Sequence, residues 1–515
     1  MASCLFATLS LSVAQQANIL FVLTDDQDVY MDGAKHQPKI SRLLAEEGST
    51  LTNSFASTPV CCPSRAGMLT GRYIHHVPIK NNSLAGNCSG PAWNAGPEKD
   101  TIGVHMQALG YLTSFAGKYL NRYGEPGAGG VEHVPPGWDE WNGLVGNSVY
   151  YNYTLSHNGK AEHHGDDYAT DYLTDLLSNR TAQFLRGQWA HQAQVEGDAP
   201  RKKPFFAMVS TPACHGPREP APQYAYTLTH TAAAPAVRTP NYGVGAAGKH
   251  WVVQAEAAQW RADAARRSAW TDFAHVRRLE ALLSVDDLVE NLVGVLEELE
   301  ELAATYIFYT SDHGYHLGQF GLLQDKRMPY EHDIRVPGYV RGPGIPRNTS
   351  SSAVIVLIDL VPTFIEIGGG IPPKQMDGRS ALALLRAGPS ASADRSFLVE
   401  YNGEANNPPP NHVCDGVWGP GAACFLDGNE KLAPGPFAGG ELCSLQDASN
   451  NTYACVRTIN ASDDTIYCQF DDAHKSVQYY DLATDEWQMA VDAAEQLPQP
   501  KRTALAAQLE AMVTS

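Results

Sequence analysis

The sequence is poor in positive charge and contains no long apolar run beyond its first residues. Its 515 residues include 37 Lys and Arg against 56 Asp and Glu, which gives a formal net charge of −19 at pH 7. This acidity speaks against nucleic acid as a partner. Because no internal apolar run approaches about 18 residues, no membrane-spanning helix is predicted. A hydrophobic content of 43% instead indicates a folded protein with a large core.

Three features indicate the secretory pathway. Residues 1–16 are interpreted as a signal peptide, because MASCLFATLSLSVA is a short apolar run with small residues near its end. A buried first strand is the alternative. Cysteines crowd the C-terminal part, as disulfides do in an oxidising compartment, at Cys414, Cys424, Cys443, Cys455 and Cys468. The last two would close a hairpin-sized loop if paired. Sequons for N-glycosylation occur at Asn81, Asn87, Asn152, Asn179, Asn348, Asn450 and Asn460.

Short apolar runs predict buried strands in the first three quarters of the chain. Asn18–Leu23, Pro204–Ser210 and Thr305–Thr310 are too short for helices and suit a parallel sheet covered on both faces. Ser284–Leu302 has helical spacing with an Asp-rich first turn. This alternation predicts an α/β fold with a mixed, mostly parallel sheet between helices. In such sheets, functional groups collect at the carboxyl ends of the strands.

The domain organisation follows from a change of pattern near residue 396. We expect residues 17–395 to form the main domain, with 217–278 as a loop-and-helix insertion over the active face. Residues 396–515 predict a small antiparallel α+β domain. Its expected strands are Phe397–Tyr401, Tyr453–Ile459, Ile466–Phe470 and Gln478–Leu482, followed by a helix at Thr503–Met512.

Acidic residues follow two of the predicted strands. Asp25 and Asp26 come after the first strand, and Asp312 and His313 come after Thr305–Thr310. Carboxylates that converge at one sheet edge suit Ca²⁺ or Mg²⁺, although the imidazole also permits a transition metal. Loop capping is the alternative for either pair alone. Two such pairs favour a metal site.

The densest local signal is the segment CCPSRAGMLTGR, residues 61–72. Pro63 suits the first turn of a helix. Cys61 would then face unpaired backbone N–H groups and the positive end of the helix, with Arg65 nearby, which favours an anionic or hydrated reactive group. A structural pair of adjacent cysteines is the alternative.

This segment resembles the sulfatase signature C-x-P-S-R-x-x-x-L-T-G-R at every specified position. The resemblance extends along the chain, through DDQD at 25–28, GKYLNRYG at 117–124 and SDHGYHLGQF at 311–320. It is strongest to the glucosamine-6-sulfatase branch, on NNSLAGNCS at 81–89, GVEHVPPGW at 130–138 and NTYACVRT at 451–458. The family implies an alkaline-phosphatase-like core. It also implies conversion of Cys61 to formylglycine by a formylglycine-generating enzyme.

The family resemblance implies a role for each of several individual residues. The resemblance implies that Ca²⁺, with Mg²⁺ as the less favoured ion, is bound by Asp25, Asp26, Asp312, His313 and the modified Cys61. Arg65 would stabilise the hydrated aldehyde, while Lys118 and Lys326 would hold sulfate oxygens. His215, after the Pro204–Ser210 strand, would be the active-site histidine. Further substrate-pocket candidates are Asn121, His75, His76 and His316.

The implied activity is the hydrolysis of sulfate esters. A hydroxyl of the formylglycine hydrate would attack sulfur, and His215 would protonate the departing oxygen. The expected substrate is an N-acetylglucosamine 6-sulfate unit of a glycosaminoglycan or similar polysaccharide; an aryl sulfate is the alternative. A related phosphatase or phosphodiesterase and a catalytically silent glycan-binding homologue are the rival readings. The expected location is the extracellular or cell-wall space, or the lysosome.

Overall fold

The computed structural model describes residues 16–189, 203–228, 236–392, 394–403, 446, 448, 450–491 and 493–515. Residues 1–15 of the predicted signal peptide lie outside the described residues, as do Cys414, Cys424 and Cys443. Among the described residues, none of the helices combines the length and apolarity that crossing a lipid bilayer would require.

The large sheet has ten strands, in the order β10-β2-β9-β8-β1-β7-β3-β4-β5-β6. Their bounds are β1 Asn18–Thr24, β2 Ser49–Phe55, β3 Leu112–Lys118, β4 Glu140–Leu144, β5 Thr154–His157, β6 Lys160–His163, β7 Phe205–Ser210, β8 Thr305–Ser311, β9 Gly338–Arg341 and β10 Thr349–Val356. The central neighbours β8-β1-β7-β3-β4 are all parallel, and antiparallel pairs occur on either side of them. The predicted mixed, mostly parallel sheet is confirmed.

Helices cover the sheet on both faces. Strand β1 shows why, since Ile19 and Phe21 pack into one buried cluster while Leu20 and Val22 pack into another. A strand buried on both sides reads as a continuous apolar run. The described α-helices are Pro38–Ile40, Cys61–Thr70, Pro91–Ala95, Ile102–Ala108, Tyr168–Asp171, Leu173–Phe184, Trp251–Ala262, Ala264–Glu298, Glu331–Ile334, Leu360–Ile367, Leu382–Ala387, Ala493–Gln496 and Gln499–Thr514.

One helix begins far earlier than its sequence pattern predicts. The helix expected from Ser284 starts at Ala264 and runs to Glu298. The acidic residues taken as its first turn lie in its interior, where Asp286 accepts hydrogen bonds from the backbone N–H groups of Lys39 and Ile40. Its carboxylate therefore caps a different helix, and the predicted start was wrong. The described part of 217–278 does combine loops with helices, as expected.

The C-terminal strands form a separate four-stranded antiparallel sheet. They are β11 Arg395–Tyr401, β12 Tyr453–Ile459, β13 Asp464–Phe470 and β14 Val477–Asp481. Cys455 and Cys468 face each other in the β12–β13 register and form a disulfide, which closes the hairpin-sized loop that the sequence had left as one option among the pairings. The last helix, expected at Thr503–Met512, spans Gln499–Thr514.

Candidate active site

The polar groups expected at the sheet edge meet there. Strands β8, β1, β7 and β3 are neighbours and parallel. Their carboxyl ends therefore point the same way and lead into the segments that carry most of the candidate residues. These are Asp25 and Asp26 after β1, Lys118 at the end of β3, His215 after β7, and Asp312 and His313 after β8.

Four buried side chains form a compact group of potential metal ligands. One ligand atom each from Asp25, Asp26, Cys61 and His313 lies within 4.8 Å of all the others. His313 Nε2 is 3.3 Å from Cys61 Sγ, which is 3.9 Å from Asp25 Oδ1. The two carboxylates suit a hard divalent cation, whereas the imidazole and the thiol are ligands that a transition metal also accepts, so the group can hold a divalent metal ion.

Asp312 lies beside this group but is engaged differently. Its Oδ2 accepts a hydrogen bond of 2.8 Å from Arg65 Nε. Its Oδ1 accepts from the backbone N–H of Asp26 and lies 3.6 Å from His313 Nε2. Burial and the nearby Asp25 raise the pKa of Asp312 to about 6. The structure thus brings the five predicted ligand residues close together, and Asp312 is the one whose carboxylate is hydrogen-bonded to Arg65.

Arg65 ties the helix of Cys61 to the ends of two strands. Its Nη1 donates to the Lys118 carbonyl at 2.8 Å and to Ser210 Oγ at 2.7 Å. Its Nη2 has no hydrogen-bond partner among the described residues and lies 3.6 Å from Asp25 Oδ2. A buried N–H of this kind normally has a partner, so it is available to a ligand in the site.

Two buried lysines approach the carboxylates from opposite parts of the chain. Lys118 Nζ lies 2.6 Å from Asp25 Oδ2, and Lys326 Nζ lies 2.8 Å from Asp26 Oδ1. Burial would raise the pKa of Asp25, but the charges of Lys118, His215 and Arg65 together outweigh it, and the pKa falls well below its usual value. Burial and Lys326 act on the pKa of Asp26 in the same way. Both carboxylates are therefore ionised at neutral pH.

Cys61 is the first residue of the helix Cys61–Thr70 and has a free thiol, whereas Cys62 forms a disulfide with Cys88. The two adjacent cysteines thus do not pair with each other. Burial would raise the pKa of the Cys61 thiol, but Lys118 and Lys326 hold it well below its usual value. The helix begins at this residue, so its positive end also faces the group. The surroundings favour a negative or strongly polarised side chain at this position.

His215 is held with one ring nitrogen turned towards the backbone. Its Nδ1 is 2.7 Å from the carbonyl oxygen of Gly216, which can only accept, so Nδ1 carries a proton. Burial would lower its pKa, but Asp26 and Asp25 raise it above the usual value. Nε2 is left as the ring nitrogen that can exchange a proton with a ligand.

The remaining candidates lie outside this cluster. Three histidines sit on carboxylates elsewhere, with His75 on Glu400, His76 on Asp377 and His316 on Asp333. These contacts fit structural roles as well as they fit the predicted substrate pocket. Asn121 Nδ2 donates to Asn147 Oδ1, which precedes a residue of the site, Ser148.

Sequence reasoning missed several residues of the site. The hydroxyl of Ser148 donates to Asp25 Oδ2, and Arg278 donates to the Asp26 carbonyl at 2.7 Å and to Asp28 Oδ1 at 3.0 Å. Ser148 follows β4, whose five residues include Trp141 and Gly143 and lack a clear strand pattern. Because that strand could not be recognised in the sequence, no local signal pointed to Ser148.

The predicted glycosylation sites differ in exposure. Asn81 is only 4% exposed, and its Oδ1 accepts hydrogen bonds from Ser83. This burial argues against a glycan at Asn81 in the folded chain, because the acceptor amide must be reachable. The other six acceptors are exposed or half-buried and stay predictions.

Comparison with known proteins agrees with this geometry. The Sulfatase family model matches residues 17–371. The N-acetylglucosamine-6-sulfatase of Homo sapiens is 43% identical over 475 residues, covering 92% of this chain and 80% of that protein. The extracellular sulfatase SULF-1 homolog of Drosophila melanogaster is 40% identical over 394 residues, covering 76% of this chain and 33% of that protein.

A solved structure shares the fold across nearly the whole chain. It is a protein in complex with its substrate D-glucosamine-2-N,6-O-disulfate, with a TM-score of 0.72 and 22% identity over 96% of this chain and 97% of that one. The family match covers more than half of the 515 residues, and the human relative extends it to most of the chain. The chain therefore belongs to the sulfatase family and is an enzyme that hydrolyses sulfate esters, similar to the N-acetylglucosamine-6-sulfatases.

Proposed function

We propose that the enzyme removes 6-sulfate groups from N-acetylglucosamine units of a glycosaminoglycan or similar sulfated polysaccharide. The observation that carries this proposal is the 43% identity to an N-acetylglucosamine-6-sulfatase over 92% of the chain. The cluster of Arg65, Lys118 and Lys326 supplies local positive charge within a chain of net charge −19. An acidic surface disfavours long sulfated chains, so terminal or exposed sulfate groups are the proposed targets.

Residue 61 is the proposed reacting group, after conversion of the cysteine to formylglycine by a formylglycine-generating enzyme. Asp25, Asp26, Asp312 and His313 would hold Ca²⁺ together with that residue, and Mg²⁺ is the less favoured ion. When bound, the cation would add positive charge beside the sulfate, and the formylglycine would supply, as its hydrate, the hydroxyl that attacks sulfur.

The cationic side chains would bind and orient the sulfate group. Lys118 and Lys326 reach the site from different elements and would contact its oxygens from two directions. As the ester bond breaks, negative charge grows on those oxygens, and pre-positioned buried cations stabilise it more than water does. Arg65 would use its unpartnered Nη2 to hold the hydroxyl groups of residue 61 in place.

His215 is the proposed proton donor. Its Nδ1 is committed to the Gly216 carbonyl, which fixes the ring and leaves Nε2 to deliver a proton to the departing sugar oxygen. The sugar then leaves as a neutral alcohol. Asn121 is proposed to contact the sugar, and a role there for His75, His76 or His316 has less support because each is paired elsewhere.

The decisive experiment compares two substrates and one variant. We expect hydrolysis of N-acetylglucosamine 6-sulfate to exceed that of an aryl sulfate in kcat/KM, and preference for the aryl sulfate would overturn the substrate assignment. Cys61→Ala should abolish turnover while leaving the circular dichroism spectrum unchanged. Peptide mass spectrometry should show formylglycine at residue 61. A fully retained thiol would instead favour a silent glycan-binding protein.

The proposed cellular location rests on the disulfides. Two disulfides within the described residues, Cys62–Cys88 and Cys455–Cys468, suit an oxidising compartment. We propose a secreted or lysosomal glycoprotein with a main domain at 17–395 and a C-terminal domain at 396–515. Treatment with a deglycosylating enzyme should reduce its apparent mass.

A further inference from the structure

Lys326 is held in an unusual stretch of backbone. The residues on either side of it, Asp325 and Arg327, have φ values of 123° and 85°. Side chains other than glycine avoid positive φ, and such residues persist only where surrounding contacts hold them. The position of the Lys326 ammonium therefore depends on what fixes the backbone of its two neighbours.

Part of the support comes from the main domain. The backbone N–H of His316 donates to the Asp325 carbonyl at 2.8 Å, and the N–H of Arg327 donates to the Pro59 carbonyl at 2.9 Å. These bonds hold the Asp325 carbonyl and the Arg327 amide. The Arg327 carbonyl, which sets the direction of the chain after the lysine, is held from elsewhere.

That carbonyl is held by Tyr453 of the C-terminal sheet and by Asn451, two residues before it. The hydroxyl of Tyr453, the first residue of β12, donates to the Arg327 oxygen at 3.1 Å. The side-chain amide of Asn451 donates to the same oxygen at 3.3 Å and to the Gln446 carbonyl at 2.9 Å. Both side chains are buried, and the Tyr453 ring packs against Tyr401. Rigid groups thus reach across more than 120 residues to a single carbonyl.

We propose that Asn451 and Tyr453 are positioning residues, which hold Lys326 in place through the Arg327 carbonyl. This inference rests on the proposed role of Lys326 in sulfate binding. Losing these donors would let the strained backbone at Arg327 relax and would leave a buried carbonyl unpaired. The Lys326 ammonium would then move away from its place beside Asp26. The segment NTYACVRT thus supports catalysis by positioning Lys326, without any contact between its side chains and the substrate.

The test is a double-mutant cycle with activity, sulfate affinity and stability as readouts. Tyr453→Phe and Asn451→Ser are each combined with Lys326→Gln in the full-length, converted enzyme. Tyr467→Phe is the matched control, because it removes another buried tyrosine hydroxyl from the adjacent strand, where Gln469 is its partner. We expect Tyr453→Phe to lower kcat/KM about five- to tenfold and to raise the inhibition constant of inorganic sulfate. Tyr467→Phe should change neither.

The cycle separates the possible failures. In the Lys326→Gln background, Tyr453→Phe should have no further effect, because the lysine through which it acts is gone. Additive losses would overturn the inference, as would wild-type activity of both Tyr453→Phe and Asn451→Ser beside a damaged Lys326→Gln. Full activity of Lys326→Gln would instead refute the proposed role of the lysine itself. If Tyr453→Phe lowers the melting temperature far more than Tyr467→Phe does, Asn451→Ser carries the test.

Discussion

The two lysines of the site are held in opposite ways. Lys118 is the last residue of β3, where it pairs with Leu144 of β4 and its carbonyl accepts from Arg65. Lys326 lies in a loop after β8, between two residues with positive φ, and the carbonyl of Arg327 beside it accepts from Tyr453 of the C-terminal sheet and from Asn451 just before that sheet. Lys118 is therefore positioned by the large sheet, whereas Lys326 lies in a loop whose backbone is held partly by His316 and Pro59 and partly by Asn451 and Tyr453.

The difference indicates which of the two lysines a distant substitution can displace. A strand in the centre of a sheet is hydrogen-bonded on both sides, so the residue at its end has little freedom to move. A loop held by a few long-range bonds can shift when a single bond is lost. We therefore expect the Lys326 side of the site to respond to substitutions in the C-terminal sheet, and the Lys118 side to respond to substitutions that deform β3.

Removing either ammonium gives the largest expected effect and tests whether the two lysines are equal partners. Lys118→Met and Lys326→Met should each lower kcat/KM about 100- to 1,000-fold, because each removes one buried cation that offsets charge on the sulfate. Steady-state kinetics with N-acetylglucosamine 6-sulfate would measure this. Wild-type activity in one variant would show that a single lysine suffices and would end the comparison.

Gly117→Ala should displace Lys118 by distorting the backbone of β3. Gly117 has a φ of 114°, and a Cβ there would lie 1.9 Å from the Ser210 carbonyl oxygen of the neighbouring strand. Strain and overpacking together should cost about 2–5 kcal/mol of stability, with a loss of activity because Lys118 is displaced. Thermal unfolding and kcat/KM would be measured together.

Gly110→Ala is the matched control for that substitution. Gly110 also has a positive φ, 87°, but among the described residues, apart from its two chain neighbours, no atom lies within 4 Å of the added Cβ. It should lose about 1 kcal/mol from the left-handed backbone alone and keep its kcat/KM. Equal losses in both variants would mean that the close contact with β7 does not position Lys118.

Removing the disulfide of the C-terminal sheet tests how that sheet supports the loop of Lys326. Cys455→Ala with Cys468→Ala removes the bond between β12 and β13 and should cost roughly 2–4 kcal/mol of stability. The β12–β13 hydrogen bonds remain and still place Tyr453. At 25 °C, kcat/KM should therefore fall less than in Tyr453→Phe. A larger fall would show that the disulfide, rather than the strand pairing, holds the lysine loop.

The same contrast explains what the sequence could predict. Asp25 and Asp312 stand just beyond strand ends, and a strand buried on both faces has a clear apolar pattern, so these two residues were identifiable from the pattern itself. Lys118 was assigned only through the resemblance of the segment GKYLNRYG, because β3 was not among the predicted strands. The contact of Tyr453 with Arg327 joins residues 126 positions apart, and no local pattern encodes such a contact. The start of the long helix was mispredicted for a related reason, because Asp286 was assigned to its first turn although its carboxylate caps another helix.

The smallest expected effect is that of substituting His75, whose side chain contacts the C-terminal sheet away from the active site. Its ring pairs with Glu400 of β11 at 2.9 Å, near Asp377 and His76. The hydrogen bond to Glu400 raises the pKa of His75 above 6.5, although burial opposes it. A raised folded-state pKa stabilises the fold below the unfolded-state value, and the contribution disappears as the pH rises through the folded-state pKa. His75→Gln should therefore lower the melting temperature by about 1–2 °C at pH 5.5, less at pH 8.5, and leave kcat/KM within about twofold. A large loss of kcat/KM without any loss of stability would instead return His75 to the substrate pocket.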